Sequence, residues 1–295
     1  MSQTKGEPMS KTILLLVSVF LFFDSALGQT EQSTPAPPEY GWKHSLVSSL
    51  TLTQVAYTDW AQGGENALAY TFMFDSKSTE DEASSNWQTL YKFAFGQTRL
   101  GSQGIRKTDD IIDLSTVFTY KLGSLVNPYV SATLKSQFAD GSVYPRPDSA
   151  VQVSAFFDPA YLTQSTGVGY QPINEIKTRL GVGLREVITS QFNQYSDDPS
   201  TFSEVEKTSV NGGIESVTNV DWQMDDNVLF TTQLEFFAPF SHFDETVMRN
   251  NTTVTAKVSK YVTAVFSVQL INEKRISPYM QVKETIALGL SYTIF

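Results

Sequence analysis

The sequence predicts an all-β chain: a transmembrane, antiparallel, up-and-down β-barrel of about twelve strands. Three observations carry that expectation. Apolar residues recur at every second position from Trp42 to the end of the chain. The connections between these segments alternate between short and long. Amphipathic rings gather at one end of the segments.

The first element is an address rather than part of a fold. Lys5 and Lys11 precede the apolar run Ile13–Phe23. That run is about half the ~20 residues a helix needs to cross a bilayer, and it has the length of a signal-peptide core. Small residues follow at Ala26 and Gly28, so residues 1–28 read as a signal peptide cleaved after Gly28. Pro35, Pro37 and Pro38 make residues 29–41 an extended periplasmic tether. The barrel is expected over 42–295. The mature protein should lack residues 1–28 and carry no lipid, because the chain has no cysteine to acylate. Intact-mass measurement on isolated membranes checks this, and a retained N-terminus or an added acyl mass contradicts it.

From Trp42 the period is two, so one face of each segment is apolar and the other polar. Trp42, His44, Leu46, Leu50 and Leu52 mark the first strand, and Leu68, Tyr70, Phe72 and Phe74 the second. Trp87, Tyr91, Phe93 and Phe95 mark the third, Ile112, Leu114, Phe118 and Tyr120 the fourth. Val130, Ala132, Leu134 and Phe138 give the fifth, and Leu162, Val168 and Tyr170 the sixth. In the seventh, Ile176, Leu180, Val182 and Leu184 oppose Lys177, Arg179, Gly181, Gly183 and Arg185. Val210, Ile214, Val220 and Trp222 mark the eighth, and Val228, Phe230, Leu234 and Phe236 the ninth. Val254, Ala256 and Val258 mark the tenth, and Val262, Ala264, Phe266, Val268 and Leu270 the eleventh. The twelfth carries Val282, Ile286, Leu288, Leu290, Tyr292 and Ile294.

The expected connections are 57–66, 97–109, 139–160, 189–208, 238–251 and 272–279 on one side, and 77–86, 122–127, 171–175, 223–227 and 259–261 on the other. The second set is shorter, as on the periplasmic side of outer-membrane barrels, and both chain ends fall on that side.

Alternation alone leaves open which face is outside, since a soluble barrel or sandwich would bury the same apolar face. The leader, the loop asymmetry and the rings choose lipid. Trp42, Trp87, Tyr120, Tyr170, Trp222 and Tyr292 all fall on the apolar face at the short-turn end. Rings with a polar edge collect at the membrane–water boundary, so these six are expected to form the periplasmic girdle. Hence Val182→Arg should impair folding into bilayers, while Gly183→Ser should be mild.

The last residues, Gly289-Leu290-Ser291-Tyr292-Thr293-Ile294-Phe295, resemble the terminal recognition strand of Gram-negative outer-membrane proteins. That resemblance implies the barrel-assembly machinery and outer-membrane lipid as partners. The pattern departs in one detail: the apolar face ends at Ile294, one residue before the final Phe295. Trp60-Ala61-Gln62-Gly63-Gly64-Glu65-Asn66 resembles a signature of a Gram-negative family, the domain-of-unknown-function family 3078. Phe157–Tyr161 with Gly167–Tyr170 is similar to that family's middle, and Lys257–Tyr261 with Lys283–Tyr292 to its end. The resemblance covers roughly residues 42–295. It implies an outer-membrane barrel and no activity.

Composition excludes several functions. A net charge of −10 argues against nucleic acid as a partner. The absence of cysteine removes thiolate metal sites and thiol nucleophiles, and two histidines are too few for a histidine metal site. There is no G-x-S-x-G elbow, H-E-x-x-H or phosphate loop. His44 reads as an interfacial residue. His242, near Asp244 and Glu245, reads as a loop histidine rather than half of an Asp–His pair. Asp197, Asp198, Glu204 and Glu206 lack the twelve-residue calcium-loop spacing and read as a solvated acidic loop. Trp60, Gly63, Gly64 and Asn66 could shape a site at the rim, but the glycines fit a tight turn better. No catalytic residue, cofactor or metal is expected.

The polar face carries the remaining candidates. Lys43, Lys92, Lys121, Lys135, Lys177, Arg179, Arg185, Lys257 and Lys283 point inward by alternation, against Asp75, Asp113, Glu215, Asp221 and Glu235. The interior is therefore expected to be basic although the protein is acidic, and an open lumen would prefer anions. The expected function is a passive pore or uptake barrel for small polar solutes in the outer membrane, anionic ones among them. The rival is a closed lumen, filled by charges that pair with one another, in a barrel that works through its long loops. An outer-membrane hydrolase ranks last.

Overall fold

A ribbon with one apolar face and one polar face has a single stable place in a bilayer: closed on itself, so that no backbone edge meets lipid. The protein adopts that solution. The structure, a computed structural model, describes residues 40–57, 64–123, 125–146, 149–198, 201 and 204–293. The strands are β1 (Gly41–Val55), β2 (Ala67–Asp81), β3 (Ser85–Leu100), β4 (Arg106–Tyr120) and β5 (Val126–Ser136). A small hairpin of β6 (Gly141–Arg146) and β7 (Ser149–Ser154) follows. Then come β8 (Ala160–Ile173), β9 (Ile176–Ile188), β10 (Thr208–Asp225) and β11 (Val228–Pro239). Last are β12 (Val247–Lys257), β13 (Val262–Asn272) and β14 (Gln281–Thr293). All except β6 and β7 form one closed barrel, each strand antiparallel to its neighbours in chain order. Among the described residues no helix is long and apolar enough to cross a membrane. The leader expected over 1–28 and residues 29–39 of the tether expected over 29–41 lie outside the described residues, as do Ile294 and Phe295, and Gly41, expected in the tether, begins β1.

The barrel closes where β14 meets β1, with Leu50 opposite Leu290 and Val47 opposite Thr293. Its apolar face is outside. Leu180 and Val182 are each 54% exposed and Ile286 is 84% exposed, whereas Arg185 is 8% and Glu215 6% exposed. Large aliphatic side chains in contact with the surroundings and charges within are the reverse of a soluble core, and lipid is the solvent that rewards it. Polar groups on the outer face are satisfied locally. The Trp87 indole donates to Thr116 Oγ1 at 2.7 Å, and the Asn250 amide donates to Thr232 Oγ1 at 3.0 Å.

The strands outlast their apolar pattern. The expected connections 77–86, 97–109 and 238–251 contract to 82–84, 101–105 and 240–246. Ladder hydrogen bonds depend on the backbone rather than on side-chain hydropathy, so pairing continues through polar stretches such as Ser76–Thr79 opposite Leu46–Lys43. The 101–105 connection is thereby short although it lies on the long side. The expected loop 139–160 is not all irregular either, because it contains the β6–β7 hairpin.

Glycines make room on the inner wall where β8 meets β9. A Cβ at Gly181 would sit 2.2 Å from the Thr166 carbonyl oxygen and 2.7 Å from the Tyr129 hydroxyl. The missing side chain thus lets β8 and β9 approach while the Tyr129 ring lies across them. At Gly183 a Cβ would stand 3.0 Å from the Gln164 carbonyl oxygen and 3.1 Å from Ser165 Cβ. Gly183→Ser therefore requires the Gln164 backbone and Ser165 to give by a few tenths of an ångström, a demand that alternation does not reveal.

Candidate functional site

The inward residues divide the lumen into three levels. At mid-height, charged side chains reach across the barrel. Lys135 on β5 donates to both carboxylate oxygens of Glu235 on β11, at 2.7 and 2.8 Å, and lies 3.4 Å from Asp113. Arg185 on β9 donates to Glu273, just past β13, at 2.8 Å, and Arg249 on β12 holds the other oxygen of Glu273 at 2.8 Å. Both guanidiniums lie over the Tyr161 ring, 5.2 and 5.1 Å from its centre. Nearer the loops, Lys283 on β14 pairs with Asp109 on β4. Each of the pairs Lys135–Glu235, Arg185–Glu273 and Lys283–Asp109 joins strands four places apart in the ring. They are struts across the lumen rather than bridges between neighbours.

The partition encloses a cavity of about 40 Å³ lined by Lys135, Tyr161, Arg179, Arg185, Glu235 and Arg249 among others. That is room for roughly three waters. On its loop side lies a chamber of about 450 Å³. On its turn side lies one of about 480 Å³. Lys135, Tyr161, Glu235 and Arg249 are shared with the first chamber, and Arg179 with the second.

The charges expected in the lumen fall into these levels. Lys43, Lys121, Lys177 and Arg179 line the turn-side chamber. Lys92, Asp113, Lys135, Glu235 and Lys283 line the loop-side chamber. Arg185 and Glu215 stand in the partition. Asp75 and Asp113 flank Lys92 in register on either side. Asp221 and Lys257 lie at the turns 174–175 and 258–261, and their backbone amides bond Glu175 and Asn227.

Three residues essential to the struts were missed by sequence reasoning: Arg249, Glu273 and Asp109. All fall in stretches that read as connections. For Arg249 a signal existed, since Val247, Arg249 and Asn251 alternate with Met248, Asn250 and Thr252 on β12. Its polar composition hid the strand.

Trp42, Trp87, Tyr120, Tyr170, Trp222 and Tyr292 are all exposed on the outer wall near the short turns. The Trp42 and Trp87 rings are 6.2 Å apart, and His44 stacks on Trp42 at 5.5 Å. The His44 ring nitrogen also meets Ser78 Oγ at 2.9 Å, on the lipid face. In the rim motif, Trp60 and Gly63 lie outside the described residues. Gly64 takes φ +127° against the Tyr57 ring, and Asn66 Oδ1 accepts the Tyr57 amide at 2.7 Å. The described half of the motif thus folds its own loop.

The acidic loop turns its carboxylates on itself. Glu206 accepts the Thr201 hydroxyl at 2.5 Å and the Asp198 amide at 3.1 Å, and these bonds hold its carboxyl down at about 2. Asp197 accepts the Glu206 amide at 3.0 Å. Among the described residues no group of three or more acidic or histidine side chains is placed to hold a metal ion.

Closed strands, lipid-facing aliphatic residues and a charged interior define an outer-membrane β-barrel. The model of a protein of unknown function (DUF3078) matches residues 52–142, and that of a second protein of unknown function, DUF481, matches residues 160–294. Each match spans less than half of the chain. The first match is narrower than the resemblance read from the sequence: Gly167–Tyr170, Lys257–Tyr261 and Lys283–Tyr292 fall within the second. No curated protein matches the chain. Among solved structures, an outer-membrane channel from Pseudomonas putida F1 is similar at 10% identity and a TM-score of 0.39, over 90% of this chain and 99% of that one. The translocator domain of the autotransporter NalP from Neisseria meningitidis is similar at 9% identity and TM-score 0.37, covering 87% and 89%. The NanC porin is similar at 8% identity and TM-score 0.37, covering 84% and 98%.

Proposed function

We propose that the protein is a narrow, passive uptake channel for small polar solutes, with its chain ends and short turns in the periplasm. The carrying observation is the division of one lumen into two chambers of about 450 and 480 Å³ that meet at a partition of polar, titratable side chains. A purely structural barrel has no need of a hollow at each end, and it gains more from a packed apolar interior than from buried ion pairs. The aromatic rings at the short-turn end support the orientation, with that end at the inner boundary of the membrane. The terminal strand is read as the signal for the assembly machinery. Nothing in this reading requires catalysis.

The ion pairs that cross the partition favour one rival, a closed barrel that acts through its loops. Conductance across a planar bilayer separates the two. The wild-type channel is expected to pass a small, steady current. The double variant Lys135→Ser, Glu235→Ser removes one strut without stranding either of its charges, and should raise the current severalfold. In a salt gradient the reversal potential should show anion preference, set by the basic turn-side chamber. Silence from both proteins at high load leaves the closed barrel as the answer.

A further inference from the structure

The two chambers differ in charge. The loop-side chamber is lined by five basic side chains and five carboxylates, so it is balanced. The turn-side chamber is lined by Lys43, Lys121, Lys177 and Arg179, with Asp81 as the one carboxylate among its described lining residues. That carboxylate is already engaged, accepting Lys121 at 2.6 Å and the Asn86 amide at 3.0 Å. Lys77 and Asp221 act on Lys177 with opposite signs.

Lys121 is spent on Asp81, but Lys177 and Arg179 keep donors in hand. Lys177 makes no ion pair or hydrogen bond among the described residues, although Asp221 and Asp81 act on it from a distance. Arg179 Nε is a buried donor with no hydrogen-bond partner among them. The nearest Glu215 oxygen is 3.7 Å away, outside hydrogen-bond reach, and that carboxylate instead accepts the Ser165 hydroxyl. The guanidinium is steadied over the Tyr129 ring, 5.8 Å from its centre. Neutral partners from Gln88, Asn219 and Tyr129 complete the wall. Cations gathered in a cavity with low-dielectric walls concentrate field lines and call for a counter-ion.

We infer that the turn-side chamber is a binding site for a compact polyvalent anion, a carboxylate- or phosphate-bearing solute, with Lys177 and Arg179 as its principal donors. The inference deepens the channel reading by naming the solute class and where it dwells. It does not depend on which membrane face the chamber meets.

Calorimetry on the full barrel in nanodiscs of zwitterionic lipid tests it, with citrate, inorganic phosphate and uncharged glucose as probes. Citrate or phosphate should bind with about one site per barrel, and glucose should give no heat. Lys177→Gln should weaken binding about tenfold or more, the scale of one charge-assisted hydrogen bond. Lys257→Gln, inward but outside the chamber, should leave it unchanged. Heat-modifiable gel migration shows that each variant is folded. Absence of heat with both anions on folded protein overturns the inference, as does equal loss in the two variants. Binding without conductance would keep the site and reject the channel, whereas conductance without binding would reject the site alone.

Discussion

Glu273→Ala is expected to destabilise the barrel by about 3–5 kcal/mol, the cost of breaking a buried ion pair from one side. Glu273 is 6% exposed, and each of its oxygens takes one guanidinium at 2.8 Å. Without it, Arg185 and Arg249 are left over the Tyr161 ring, with Glu235 nearby but already held by Lys135. The loss arises from stranded charges rather than from a missing contact. Glu273→Gln keeps the shape and one acceptor, so its cost should be smaller. Adding Arg249→Met to Glu273→Ala should recover part of the loss. Urea unfolding in lipid vesicles measures all three. A cost below about 1 kcal/mol for the alanine variant would mean that lumen water, not Glu273, solvates the two arginines.

Val182→Arg should lower folding stability by about 2–4 kcal/mol, the penalty for a cation near the bilayer midplane on the lipid face. Val182 pairs with Ile214 on β10 and Thr166 on β8, and stands between the outward Leu180 and Leu184. A guanidinium there meets hydrocarbon from every direction except along the barrel wall. The control must face inward without crowding. Gly183 fails on that count, because a Cβ already meets Ser165 and the Gln164 backbone. Thr119 on the wall of the turn-side chamber qualifies, so Thr119→Arg should fold nearly as well as the wild type. Heat-modifiable migration after refolding into vesicles gives the folded fractions. Equal yields from both variants would reverse the assignment of inside and outside.

Much of this architecture is written in nearest-neighbour pattern. Alternation such as Leu180-Gly181-Val182-Gly183-Leu184 needs only the two-residue period of a strand, and the long-range consequence, closure, follows because lipid admits no free edge. Strand order follows too, since short turns force sequential neighbours to pair. The inward set from Lys43 to Lys283 could be read the same way, and so could the outward rings. What no local pattern holds is which inward charges meet. Lys135 and Glu235 are a hundred residues apart and sit on strands four places apart around the barrel. Their contact depends on barrel diameter and strand stagger, quantities set by the closed sheet as a whole. The same holds for Glu273, which entered the lumen from a stretch that reads as a loop. A count of inward charge treats the lumen as one basic compartment. Only the closed barrel could cancel most of that charge in a partition and leave the remainder in the chamber at the turns.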